Sequence, residues 1–178
     1  MVLILSVFET ISNRGTIRRY LDRSISQENL VKIIESARLS QSAANRQPWQ
    51  FIAVTDASMK KNLSKASRSQ ESVSKAAAVV VCLANPSEAA KVGPFEGFLI
   101  DCSIAIENMV LASWELGIGS CWIGAYDERT VKELLEIPDA MRVVSLLTLG
   151  YPNEKPKAKN RKTLSDILHY ERYGQKKP

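Results

Sequence analysis

The residues best suited to chemistry fall in three short segments. Arg14-Gly15-Thr16-Ile17-Arg18-Arg19-Tyr20 sets guanidinium groups beside a hydroxyl and a glycine. Planar guanidinium forks and a backbone that a ligand can approach closely are what a phosphate dianion requires. A basic helix end facing water has the same composition. Ser42-Ala43-Ala44-Asn45-Arg46-Gln47-Pro48-Trp49 combines small residues with two amides. That pattern admits a flat ligand near the backbone and reads its polar edge, or makes a polar loop anchored by Trp49. The third segment, Gly117-Ile118-Gly119-Ser120-Cys121-Trp122-Ile123-Gly124, carries glycines that leave backbone N–H groups open to a ligand.

Side chains for acid–base or nucleophilic work are scarce. The one histidine, His169, stands near the C-terminus with no G-x-S-x-G elbow to accompany it. It reads as a surface or packing residue, and a multi-histidine metal site is excluded. Cys82, Cys102 and Cys121 are too few and too scattered for a disulfide framework or zinc knuckle. Cys121 reads first as a small buried hydrophobe and only second as a nucleophile. If the chain is an enzyme, a cofactor carries its hard chemistry. No G-x-G-x-x-G follows a strand and no G-x-x-x-x-G-K-[ST] occurs, so the common nucleotide-fold readings fail.

The elements that must position these segments are legible. Ser26 reads as an N-cap, with Leu30, Ile33, Ile34 and Ala37 following at helical spacing until about Ser40. Residues 50–55 read as a strand and Asp56 as the cap of another helix. Residues 76–84, centred on three valines, read as a strand buried on both faces. Residues 98–116 form the longest helix candidate, apolar nearly all round and therefore in need of partners on several sides. Gly117 and Gly119 end it. Residues 120–123 read as a short strand, Asp127 caps a helix that stops before Pro138, and residues 142–149 are a last core strand. Helices interspersed with strands indicate an α/β or α+β sheet domain.

Size and composition agree. The chain has 178 residues, 45% hydrophobic and 24% charged, which suits one compact domain over residues 1–178. The longest wholly apolar runs, 1–5 and 76–84, fall far short of the roughly 20 residues a membrane helix needs. No basic residue precedes the first apolar run, so a signal peptide is not expected. The expected compartment is the cytoplasm. The net charge of +5 gathers at residues 14–23 and in the C-terminal tail. It favours a nucleic acid or a phosphorylated small molecule, or is simply a solvated surface. With 7% aromatic residues and no RNP-like stacking segment, the nucleic-acid reading is the weaker one.

Taken together, the three segments and the tail resemble the nitroreductase family of flavoproteins over nearly the whole chain. Residues 14–18 are similar to its R-R-S-x-R phosphate segment, with Gly15 and Thr16 in place of Arg and Ser. Residues 42–49 resemble its P-S-x-x-N-x-Q-P-W motif, with Gln41 where Pro is usual. The GIGSCWIG run, then Gly150-Tyr151-Pro152, match its C-terminal half, and Lys159-Asn160-Arg161 resembles its K-x-R.

This resemblance implies an α+β fold with a central, mostly antiparallel sheet flanked by helices, assembled as an intertwined homodimer with FMN at the subunit interface. It implies that Arg14, Thr16, Arg18, Lys159 and Arg161 hold the phosphate, with Gly15 in the same cofactor-binding segment. Ser42 and Asn45 would contact the flavin, partly from the opposite subunit, and Gln70 would meet the ring's polar edge. Trp122, Ile123 and Gly124 would lie along the isoalloxazine. The implied activity takes electrons from NADH or NADPH to nitroaromatic, quinone or flavin acceptors by a ping-pong mechanism. A specialised relative that converts flavin or removes halogen reductively would use the same cofactor site.

Overall fold

The computed structural model describes residues 6–157 and 160–176. Its centre is a four-stranded sheet of β1 (Trp49–Val54), β2 (Ala78–Ala84), β3 (Gly119–Ile123) and β4 (Arg142–Gly150), in the order β1-β2-β4-β3. All three ladders are antiparallel. A parallel bridge from Thr16 to Ser120 lays the N-terminal segment along the free edge of β3. The fold is thus α+β, as expected.

Side chains alternate across a strand, so each strand feeds two cores. Val79, Val81 and Leu83 of β2 join Cys121, Ile123 and Leu146 on one face, under α3 (Ala57–Ala66) and α6 (Glu128–Leu135). Ala78, Val80, Cys82 and Ala84 join Leu147 and Leu149 on the other, under α2 (Gln27–Arg38) and α5 (Gly97–Glu115). Every residue of β2 is buried, as its unbroken apolar run requires. A register shift at Cys82/Leu83 bends its pairing with β4.

The caps that start the helices are local. The Ser26 side chain accepts from the Asn29 N–H, Asp56 from Met59 and Asp127 from Thr130. Gly117 adopts a positive φ of 71° just beyond α5, a C-terminal stop that favours glycine. Helix α1 (Val7–Asn13) is an element beyond those the sequence pattern marks. It is set by a capping box in which Ser6 and Glu9 satisfy each other's backbone N–H groups. A short α4 (Glu71–Ser74) and a single-turn α7 (Leu164–Ile167) complete the helices among the described residues.

Helix α5 is long and apolar enough to span a membrane, yet half of that stretch is buried inside the fold. It packs against α2 and beneath the sheet, and Asp101, Cys102, Ala105, Met109 and Ser113 are buried. Leu99 and Ile100 stay exposed, as do Val7, Phe8 and Ile11 on α1.

Candidate cofactor site

Residues 14–23 have no regular structure of their own and are held from both sides. The Ile17 N–H donates to the Ser120 carbonyl at 2.9 Å, and the Leu21 N–H to the Tyr151 carbonyl at 2.9 Å. The Arg23 guanidinium stacks 3.8 Å above the Tyr151 ring. Glu154 gathers the middle of the segment, accepting from the Arg18 N–H at 2.6 Å, the Arg19 N–H at 3.1 Å and Arg19 Nε at 3.1 Å. These bonds, the one from Arg18 foremost, hold the Glu154 carboxyl below its ordinary range.

This stitching brings the two ends of the chain together. Arg14 and Arg161, with Lys155, Pro156 and Lys157, line an open cavity of about 620 Å³ beside α1. Four cations around one hollow suit an anionic group such as a phosphate. Arg14 also pairs through Nε with Glu107 of α5 at 3.1 Å. Gly15 is buried against Pro156, so its part is close packing of the segment on the tail rather than an open backbone contact. Thr16 stands half-buried at its bridge to Ser120. Lys159 lies outside the described residues.

Arg18 goes elsewhere. It lines a second cavity, also about 620 Å³, with Arg19, Lys60 and Lys75. Its side chain also meets the Cys121 thiol. Burial nevertheless pushes that thiol above its ordinary pKa, the guanidinium only partly opposing the shift. Cys121 is therefore a neutral core group at pH 7, not an activated nucleophile.

Residues 42–47 are the most strained part of the described chain. Ala44, Asn45 and Gln47 all have φ between 51° and 53°, in the left-handed region. Non-glycine residues there cost roughly 1–3 kcal/mol each and persist where their surroundings over-determine them. Here the Gln47 N–H donates to Ser42 Oγ at 2.9 Å and the Asn45 N–H to the Ser42 carbonyl at 3.0 Å. The Ala43 N–H donates to Asp101 Oδ1 of α5 at 2.9 Å. Buried Pro48 and Trp49 anchor the far end, leaving Ser42 half-buried and Asn45 exposed.

At the end of β3 the alternation of the strand sorts the candidates. Ile123 points into the core, leaving only its backbone available, whereas Trp122 is 55% exposed. The Trp122 ring folds over Gly124, where an added Cβ would come within 2.8 Å of it. Gln70 donates through Nε2 to the Ala125 carbonyl at 3.3 Å, which brings it against this strand end. The preceding Arg68 and Ser69 are both left-handed, a second strained turn at the same place. His169 takes no part: its Nδ1 accepts from the Gly174 N–H in the C-terminal turn.

With this geometry in view, the likeness to known proteins is decisive. The sequence model of the Nitroreductase family matches residues 11–93 and 71–151. The chain belongs to the nitroreductase family. A protein of Archaeoglobus fulgidus named for NADH dehydrogenase or NAD(P)H nitroreductase activity is 42% identical over 149 residues, covering 82% of this chain and 84% of that one. A nitroreductase family protein from Clostridium novyi superposes with a TM-score of 0.81 at 35% identity, over 96% of each chain. An FMN-dependent nitroreductase from Clostridium difficile gives 0.81 at 27% identity, over 92% of this chain and 98% of that one.

Within this nitroreductase-family chain, sequence reasoning passed over several residues that shape the site. Lys155 and Lys157 read in the sequence only as tail charge, yet they line the cavity. Asp101 and Glu107 stand inside the apolar α5, where carboxylates are themselves a signal. Glu154 follows Gly150-Tyr151-Pro152 with no motif to mark it.

Proposed function

We propose that this chain is an FMN-dependent NAD(P)H oxidoreductase that works as a homodimer. The observation that carries the reading is the cavity in which Arg14, from the start of the chain, meets Lys155, Lys157 and Arg161 from its end. A phosphate is the group that such a set of cations holds best. The relatives' names, which include FMN reductases and NAD(P)H nitroreductases, support the same cofactor and donor.

In this reading Arg14, Lys155, Lys157 and Arg161 bind the FMN phosphate, and the resemblance adds Lys159, which lies outside the described residues. Thr16 and Gly15 shape the segment that carries Arg14. Arg18, next to Cys121, serves the ring end rather than the phosphate. Ser42, Asn45 and Gln70 contact polar edges of the ring, while Trp122 and the backbone at Ile123 and Gly124 lie along it. Bound FMN supplies hydride acceptance from NAD(P)H and its delivery to an electron acceptor. The side chains orient the ring, balance its charge and exclude water, so no acid or base need come from the protein.

Nitroaromatics, quinones and free flavins are the acceptor classes of this reading, and one shared ring face makes turnover ping-pong. Exposed Phe8, Ile11, Leu99 and Ile100 offer apolar surface for a second copy. Three free thiols, Cys82, Cys102 and Cys121, suit a reducing cytoplasm.

Titration of the apoprotein tests the reading. FMN should bind more tightly than riboflavin, and Arg161→Ala should weaken FMN about tenfold to a hundredfold while leaving riboflavin nearly unchanged. Equal affinities of the wild type for FMN and riboflavin would remove the cavity from the phosphate role.

A further inference from the structure

We infer that Asp101 of α5 is a positioning residue for the flavin ring, acting through the strained 42–47 loop. The inference rests on the reading that Ser42 and Asn45 contact that ring. Asp101 is 1% exposed, and its Oδ1 accepts the Ala43 N–H at 2.9 Å. That bond is the loop's tie to the long helix, next to the turn Ala43–Asn45 where Ala44 and Asn45 go left-handed. Four further bonds close the loop on itself: Gln47 N–H to Ser42 Oγ, Asn45 N–H to the Ser42 carbonyl, Arg46 N–H to the Ala43 carbonyl and Gln47 Nε2 to the Asn45 carbonyl. They fix its shape; its place is set by the Asp101 bond together with Asn108 of α5, which donates to Ser40 Oγ at 2.7 Å just before the loop, and buried Trp49 after it.

The same helix also touches the segment assigned to the phosphate. Glu107 pairs with Arg14 at 3.1 Å, six residues beyond Asp101 and so about 9 Å further along the axis. Helix α5 thus carries ties both to the segment assigned to a phosphate and to the loop assigned to a ring. A loop with strained left-handed residues relaxes when its external tie is cut.

The second oxygen of Asp101, Oδ2, is buried with no hydrogen-bond partner. Replacing it by an amide nitrogen therefore breaks no bond, and Asp101→Asn keeps the acceptor that Ala43 needs. Asp101→Ala removes the acceptor. Ala43→Pro removes the donor from the other side. Proline is tolerated at the first position of a helical turn, and Ser42 before it is already extended, with φ −141° and ψ 157°.

The test measures FMN and riboflavin affinities of the full-length protein, with the visible spectrum of the bound flavin. Asp101→Ala and Ala43→Pro should each weaken both flavins by the same factor, about tenfold, and shift the ring's absorption band. An equal factor places the loss at the ring, since a loss at the phosphate would spare riboflavin. The double variant should be no weaker than either single one, because both cut one bond. Asp101→Asn should bind nearly as the wild type does. Leu30→Ala, a core change outside the loop, should unfold more readily yet keep wild-type flavin affinity and spectrum.

Wild-type binding and spectrum in Asp101→Ala or Ala43→Pro would overturn the inference, as would additive losses in the double variant. An Asn variant as weak as Ala would do the same. If Asp101→Ala does not fold, Ala43→Pro and Asp101→Asn decide the matter alone. Ser42→Ala and Asn45→Ala that both bind FMN as the wild type does would instead overturn the underlying site reading, and this inference with it.

Discussion

Gly15 and Pro156 touch so closely that a Cβ on Gly15 would lie 2.3 Å from the Pro156 Cβ. They are 141 positions apart, and their contact holds the Arg14 segment against the tail that carries Arg161. Gly15→Ala should therefore separate the two halves of the basic cavity. We expect a stability loss of about 1–3 kcal/mol from overpacking and a weaker grip on FMN, with riboflavin less affected. Thermal unfolding and paired flavin titrations measure both. Unchanged FMN binding in a destabilised Gly15→Ala protein would confine the contact to a structural role.

Glu154 makes the same region sensitive to acid. Its carboxyl is held below the ordinary carboxylate range by the Arg18 and Arg19 N–H groups. The unfolded chain takes up this proton at a higher pH than the folded one. The stabilisation is thus complete above the ordinary range and is lost as pH falls through the depressed folded value. Denaturant titrations of wild type and Glu154→Gln should differ most near neutral pH and converge on acidification. A gap that widens toward low pH would contradict this assignment.

Glu107 competes for Arg14. Its carboxylate sits 3.1 Å from Arg14 Nε, at the cavity rim and half exposed. A surface pair of this kind is worth about 0.2–1 kcal/mol. Glu107→Gln should release the guanidinium and tighten FMN binding by a few-fold at most, an effect that shrinks with added salt. Weaker FMN binding in this variant would mean that Glu107 orients Arg14 rather than competing for it.

In the proposed function donor and acceptor use one ring face in turn, so the flavin alternates between oxidised and reduced forms. Double-reciprocal plots at several acceptor concentrations should be parallel, and NAD(P)H alone should bleach the flavin in stopped-flow mixing. Cys121→Ser should leave that half-reaction largely intact, because burial keeps the thiol neutral and the hydride needs no thiolate. Intersecting lines would require a second acceptor site. A Cys121→Ser enzyme that binds FMN yet does not bleach would place the chemistry on the thiol.

The sequence by itself determined what depends on neighbours along the chain. Ser26, Asp56 and Asp127 cap their helices as read, since a cap needs only a side chain and an N–H three residues on. The buried run of β2 and the glycine stop after α5 were equally local. The capping box of Ser6 and Glu9 is local in the same way. The tertiary structure decided what depends on residues far apart in sequence. Arg14 meets Arg161 because the chain ends are stitched along β3 and the segment after β4, a pairing that no local pattern encodes. Arg18, four residues from Arg14, turns instead to Cys121. Gly15 packs where the motif offered it to a ligand, and Asp101 reaches a loop 58 positions away. Motif spacing reports which groups a site can use. Their directions are set by sheet order, strand alternation and one long helix, and these exist only once the core has closed.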